Sequence, residues 1–131
     1  MGKIVGSKGG KREQRKQLRD NSFKRSACAL ACTLDLIGDK WSLLIIRDLF
    51  YGKTRYKEFH ESEEKIPTNI LADRLQRLES SGMISKVPYQ DNPVRYEYRL
   101  TDTGRSLGPV LKAITVWARK ELPGTYTPGE R

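Results

Sequence analysis

The chain has 131 residues, a size that suits one compact domain with arms. About 37% of it is apolar, enough for a modest core. No apolar run reaches the ~18 residues of a membrane-spanning helix and no apolar signal core follows the N-terminus, so a cytoplasmic location is expected. The formal net charge of +9 points to an anionic partner, but it is unevenly placed. Residues 1–27 carry nine Lys or Arg against Glu13 and Asp20, whereas the remainder carries 16 basic and 14 acidic residues.

Residues 1–25 read as a polar, basic arm that turns helical from about Lys11. It fits a solvated tail, or a DNA-embracing arm through Lys11, Arg12, Arg15, Lys16, Arg19, Lys24 and Arg25, and the two can both hold. Ser26 reads as an N-cap, after which Leu30, Leu34 and Ile37 form an apolar helical stripe that Gly38 stops. Asp39 caps a second helix. Its residues Trp41, Leu44, Ile45, Leu49 and Phe50 share one broad face, with Leu43 and Ile46 beside it, which predicts burial on most sides. Tyr51-Gly52 ends it, glycine taking the left-handed C-terminal conformation.

A short helix is expected from about Tyr56 to Glu61, with Phe59 turned inward, followed by a polar turn over Ser62–Lys65. Ile66-Pro67-Thr68 opens a helix to Ser81, with Ile70, Leu71, Leu75 and Leu78 as its buried stripe. Met83–Val87 then reads as a strand, Asp91-Asn92-Pro93 as a turn, and Val94–Leu100 as a half-buried strand of alternating apolar and charged residues. Thr101 caps a last helix, in which Leu107, Val110, Leu111, Ile114, Trp117 and Ala118 recur at helical spacing. Gly108-Pro109 predicts a kink there. The helix ends at Leu122-Pro123-Gly124, leaving a frayed tail. The folded unit is expected over residues 26–122, flanked by the arm of residues 1–25 and a tail of residues 123–131. The fold class is mainly α with one small antiparallel hairpin.

Helix, short helix, tight turn, helix and hairpin within about 60 residues is the order of a winged helix-turn-helix. The second helix of such a motif enters the major groove, the first braces it, and the hairpin reaches an adjacent groove.

The residues then resemble a known family. Cys28-Ala-Leu-Ala-Cys-Thr-Leu-Asp-Leu-Ile-Gly-Asp-Lys-Trp41 is similar to the opening signature of HxlR-type winged-helix transcriptional regulators. The resemblance runs on through Gly52-Lys-Thr-Arg55-Tyr56-Lys-Glu-Phe59, Ile70-Leu71, Leu78-Glu79 and Gly82-Met-Ile84. It ends with Val94-Arg95-Tyr96-Glu97-Tyr98 and Leu100-Thr101-Asp-Thr-Gly104-Arg105-Ser106-Leu107. It covers roughly residues 26–121. It implies a homodimeric transcription factor that binds an inverted repeat, with little catalytic machinery.

The contacting residues follow from helical geometry. At about 100° per residue, the face opposite Leu71, Leu75 and Leu78 carries Asn69, Ala72, Asp73, Gln76 and Ser80, with Arg77 at its edge. Thr68 and Asn69 lie at the N-terminal end, which usually meets base edges. Asn69 and Gln76 suit adenine, and Arg77 suits guanine or phosphate. Asp73 suits cytosine, or an ion pair with Arg77 four residues on. Arg74 is expected on the flank, supporting the neighbouring helix. Arg55, the local backbone N–H groups and Lys53 form a candidate phosphate grip, or Arg55 is a surface cap. In the wing, Arg95 is the candidate for phosphate or the minor groove and Asn92 a weaker one, while Tyr96 and Tyr98 read as packing.

Dimerisation is expected through the terminal helices. Their apolar stripes exceed what a small three-helix core can cover, and Leu30, Leu34, Leu111, Ile114 and Trp117 are the candidate interface residues. Trp117 fits the intrachain core equally well.

Two cysteines are too few for a disulfide scaffold and fit a reducing compartment. Some members of the resembling family use a cysteine near the first helix to sense oxidants or electrophiles, and Cys28 stands at that position. Ala29 follows it where the family often has Pro. The spacing of Cys28 and Cys32 places both sulfurs on one helical face, and a helix N-terminus with Lys24 and Arg25 nearby would lower the Cys28 thiol pKa. Two small residues packed in a helix interface is the alternative.

No metal site, cofactor or catalytic activity is expected. Two cysteines and the single His60, a surface residue in an acidic stretch, make no four-ligand zinc site, and no phosphate loop or nucleophile elbow is present. The function indicated is sequence-specific duplex-DNA binding that regulates transcription, most simply by repression. A non-specific nucleic-acid-binding protein and a winged helix repurposed for protein interaction are the alternatives.

Overall fold

The computed structural model describes residues 25–130. In it the chain runs through α1 (Ala29–Ile37), α2 (Ser42–Phe50), α3 (Tyr56–His60), α4 (Thr68–Ser80), β1 (Ile84–Asp91), β2 (Val94–Leu100), α5 (Asp102–Arg105) and α6 (Gly108–Glu121). The order and the single antiparallel β1–β2 sheet are those of a winged helix-turn-helix. Among the described residues no helix is long and apolar enough to cross a membrane.

The core lies where α2, α3, α4 and the base of the hairpin meet. Ile45, Ile46 and Leu49 of α2, Phe59 of α3, Ile66, and Leu71, Leu75 and Leu78 of α4 are all buried, with Met83 and Ile84 closing the end. Leu107, Leu111 and Tyr98 pack against this cluster from outside. The leucines of α4 recur at spacings of four and three, so burying that stripe fixes the rotation of the helix about its axis.

Side-chain hydrogen bonds shape the approaches to two of the helices. Asp39 Oδ2 accepts from the backbone N–H groups of Trp41 and Ser42, each at 3.0 Å, and so caps the turn that leads into α2, whose N-cap position is Trp41 rather than Asp39. Gly52, with φ of +96°, lets the chain leave α2 in a conformation other residues resist. Thr101 Oγ1 accepts from the Gly104 amide at 3.1 Å to open α5. Gly104 is required for packing, because a Cβ there would lie 2.1 Å from the Met83 carbonyl oxygen.

Several expectations are corrected. α1 begins at Ala29 with Cys28 at the N-cap, and Ser26 instead accepts from the Cys28 amide at 3.2 Å, just outside the helix. Phe50 is exposed rather than buried, since it lies on the face toward Gly108 and the groove beside α6, while its neighbour Leu49 faces the core. β1 runs on to Asp91 through a bulge between Pro88 and Gln90, so the wing is longer than expected. Only its base packs inward: Val94 and Tyr96 are exposed despite the alternating pattern. The kink at Gly108-Pro109 is a full break between α5 and α6, because proline in the first turn of a new helix gives up no hydrogen bond.

The tail does not fray. Tyr51 Oη donates to the Pro128 carbonyl at 2.9 Å and Tyr126 Oη donates to Glu63 at 2.5 Å, so residues 122–130 fold back over the end of α2. The basic arm lies outside the described residues except for Arg25, as do Lys11, Arg12, Arg15, Lys16, Arg19 and Lys24.

Candidate nucleic-acid interface

Burial of Leu71, Leu75 and Leu78 leaves the opposite face of α4 open. Thr68, Asn69, Ala72, Asp73, Gln76, Arg77 and Ser80 are all exposed along it. Three contacts hold the helix in place. Tyr56 Oη donates to the Thr68 carbonyl at 2.7 Å, tying its first turn to α3. His60 Nδ1 donates to the Ile66 carbonyl at 3.0 Å, across the turn that precedes it. Arg74 Nε donates to Asp39 Oδ2 at 2.9 Å, linking its middle to the start of α2, which is the supporting role expected of Arg74.

Pro67 occupies the N-cap of α4, and no side chain caps that end. Asp73 accepts from Arg74 and lies 3.9 Å from Arg77 Nη1, so of its two expected roles the structure contains the intrachain pairing. The polar face therefore carries two uncharged amides, Asn69 and Gln76, beside the half-exposed cation Arg77.

Below α4 a polar network braces the turn and went unnoticed in the sequence. Asp48 is buried and accepts from Ser62 Oγ at 2.5 Å, and Ser62 accepts in turn from Lys53 Nζ at 2.9 Å. Arg47 donates to both oxygens of Glu64 at 2.8 Å and to Asp48. The hydrogen bonds that Arg47 donates to Glu64, opposed by burial, raise the Arg47 pKa further, and the guanidinium lowers that of Glu64. The signal available in the sequence was an Arg-Asp pair inside the otherwise apolar Ser42–Phe50 helix. Buried charges of that kind need partners.

The expected phosphate grip at Arg55 is rearranged. Glu58 Oε1 accepts from the backbone N–H groups of Thr54 at 2.8 Å and Arg55 at 3.0 Å, so those amides are engaged within the chain. They hold the Glu58 pKa below its usual value. Lys53 is engaged by Ser62. The Arg55 guanidinium stays half exposed, 3.7 Å from the centroid of the Tyr89 ring and 3.8 Å from Glu97 Oε2. In the wing, Arg95 and Asn92 are exposed near the tip. Tyr98 packs edge-on to Phe59, with centroids 6.3 Å apart, whereas Tyr96 lies under Lys86.

Among the described residues, the terminal helices show apolar surface without cover. Leu30 is 66% exposed, Leu34 52% and Trp117 59%, and Ile114 is exposed with them. Leu111 differs from the other four, being half-buried against the core. The Trp117 side chain is thus outside the intrachain core. A groove of about 1020 Å³ runs between α2, α6 and the tail, lined by Leu44, Phe50, Leu111, Ile114, Val116 and Pro128 among others.

Cys28 is exposed and Cys32 half-buried, and both are free thiols. The backbone amides of Ala31 and Leu30, at the start of α1, favour the Cys28 thiolate and lower its pKa. Arg25 does not supply the charge expected beside it, because its guanidinium pairs with Asp35 at 2.6 Å. Cys32 Sγ donates to the Ser26 carbonyl at 3.3 Å. Because Cys28 precedes the first helical turn, the two sulfurs occupy a cap position and a helical position rather than successive turns of one helix.

Comparison with known proteins agrees with this architecture. Residues 36–126 match the HxlR-like helix-turn-helix family. An uncharacterised HTH-type transcriptional regulator of Mycobacterium bovis is 38% identical over 104 residues, covering 79% of this chain and 65% of its own length. The chain thus spans about two thirds of that relative. The crystal structure of PA1607 superposes with a TM-score of 0.69 at 44% identity, covering 84% of this chain and 74% of its own. The redox regulator HypR in its oxidised form gives 0.65 at 32% identity, covering 71% and 96%. The winged fold, the exposed face of α4 and these matches together place the chain in the HxlR-like helix-turn-helix family, whose relatives include proteins named as transcriptional regulators.

Proposed function

We propose that this chain regulates transcription by binding duplex DNA sequence-specifically as a homodimer, and that it acts as a repressor in the cytoplasm. The observation that carries the reading is the exposed polar face of α4, held rigidly over a buried leucine stripe. Asn69 and Gln76 read adenine edges, Arg77 reads guanine or phosphate, and Thr68 and Asp73 border the contact. Arg55 and Arg95 contribute from the flanks. Residues 1–25 add charge that pulls on the backbone without reading sequence.

Leu30, Leu34, Ile114 and Trp117 are exposed on the terminal helices, and a second copy covers them, with Leu111 at the inner edge. A two-fold dimer then requires an inverted-repeat operator with half-sites about one helical turn apart or a multiple. Repression follows where the operator overlaps a promoter. The exposed Cys28, its thiolate favoured by two amides, supports a response to oxidants or electrophiles with Cys32 close by in sequence. The similarity to HypR, described as a redox regulator, supports the same reading.

The test is selection from a randomised duplex library by the full chain, with and without diamide. A shared palindromic motif, lost or weakened under diamide, is expected. Recovery of fragments with no common motif overturns sequence-specific regulation.

A further inference from the structure

The hairpin is held to the helical body at three successive heights. At its base the Tyr98 amide donates to the Thr54 carbonyl at 2.7 Å, and the Tyr98 ring meets Phe59. One residue further toward the tip, Glu97 faces Arg55 at 3.8 Å. Further out still, the Tyr89 ring lies against the Arg55 guanidinium at 3.7 Å. Residues 90–95, beyond that point, are all exposed.

The backbone explains why Tyr89 can do this. Pro88 opposes Tyr96 and Gln90 opposes Arg95, leaving Tyr89 as the extra residue of a bulge. Pro88 has no N–H to give the ladder, and a bulge bends its strand and re-aims a side chain. Here the re-aimed ring meets a planar cation at the N-cap of α3. A two-stranded ribbon anchored only at its base pivots readily, since isolated hairpins are marginally stable. A second anchor halfway along removes that freedom.

We propose that Tyr89 is the positioning residue of the wing: its ring clamps Arg55 and fixes the angle at which the hairpin tip, with Asn92 and Arg95, is presented beside α4. This rests on the DNA-binding reading above, but the clamp itself exists without DNA. Tyr89 acts through Arg55 and contacts no base. Arg55 accordingly has two faces of use, one stacked on the ring and one open to a phosphate.

The test has two arms, both on the full chain. In the DNA-free protein, ¹⁵N relaxation of Y89A should show faster, wider motion at the amides of Asn92, Val94 and Arg95, with the amides of α4 unchanged. Y89F, which keeps the ring, should match the parent. A tip as rigid in Y89A as in the parent overturns the clamp. In the complex with a selected duplex, Y89A should bind roughly two- to fivefold more weakly per wing, the range of an exposed cation–π contact. It should lose protection outside the half-sites and keep the parent salt slope. R55K retains charge without a planar face, so R55K and R55K/Y89A should show the same tip motion as Y89A. A Y89F loss equal to that of Y89A would mean that the hydroxyl touches DNA, and overturns the positioning role. If the parent selects no duplex, the functional reading fails, while the relaxation arm still decides the clamp.

Discussion

Arg74 and Asp39 join α4 to the start of α2 through one bond, Arg74 Nε to Asp39 Oδ2 at 2.9 Å. The same carboxylate caps α2 through the amides of Trp41 and Ser42 and accepts from Ser42 Oγ at 2.5 Å. One side chain thus starts one helix and orients another.

Burial alone would raise the Asp39 pKa. The Ser42 hydroxyl, the Arg74 guanidinium and the two amides outweigh it and hold the group at about 2. Its folded pKa therefore lies below the unfolded one. The stability it contributes is present above pH ~4 and is lost as pH falls from there toward 2. Asp39→Ala should cost about 0.5–2 kcal/mol at neutral pH, the range of a lost capping side chain. Asp39→Asn should keep most of the cap and lose the ion pair with Arg74. Urea melts at pH 7, 4 and 2 check both: the gap between parent and Asp39→Asn should narrow across the acid window.

On the exposed face of α4, if it contacts bases as proposed, Asn69→Ala and Gln76→Ala should each cost about 1–3 kcal/mol of discrimination at one operator position, as expected for a bidentate base contact. Affinity for unrelated duplex should hardly change. Arg77→Ala, if it removes a phosphate contact, should lower the salt slope by about one. Anisotropy titrations on single-base operator variants at several salt concentrations separate the two classes.

Dimerisation is tested on the open stripes of α1 and α6. Leu34→Asp and Trp117→Asp should convert the dimer to monomer with little loss of monomer helicity, because neither side chain is buried within the chain. Leu111→Ala should instead lower thermal stability, because Leu111 packs on the core. Sedimentation equilibrium with circular dichroism distinguishes the outcomes.

Cys28 should alkylate faster than Cys32. Its thiolate is favoured and it is the more exposed of the two, whereas Cys32 donates to the Ser26 carbonyl. Because the Cys28 pKa is lowered, its rate should begin to rise at lower pH than that of an ordinary thiol. Timed iodoacetamide labelling read by peptide mass spectrometry checks this. Cys28→Ser should abolish any effect of diamide on operator binding, and a persistent response would rule out Cys28 as the sensor.

Much of the helical frame was legible because its causes are local. The leucine stripe of α4, the Asp39 cap and Gly52 each write their role within one or two turns. So did the place of Arg74 on the flank of α4. Features that depend on distant partners were not legible. Glu58 takes the amides beside Arg55, Ser62 takes Lys53, and Tyr89 reaches Arg55 only because of a bulge. The tail read as frayed because its composition is polar and turn-rich. Its anchors, Tyr51 and Glu63, lie more than sixty positions away. Phe50 looked buried because its apolar neighbours are, yet it lies on the groove face of α2 while Leu49 beside it faces the core.

That folded-back tail has a mechanical consequence. Leaving α6, the chain passes to Pro128 on the Tyr51 hydroxyl and sets Tyr126 against Glu63, just ahead of the segment that leads into α4. It acts as a tie-rod between α6 and the approach to α4. On the proposed dimer, a tilt of α6 would be expected to strain these two tyrosine hydroxyl contacts first.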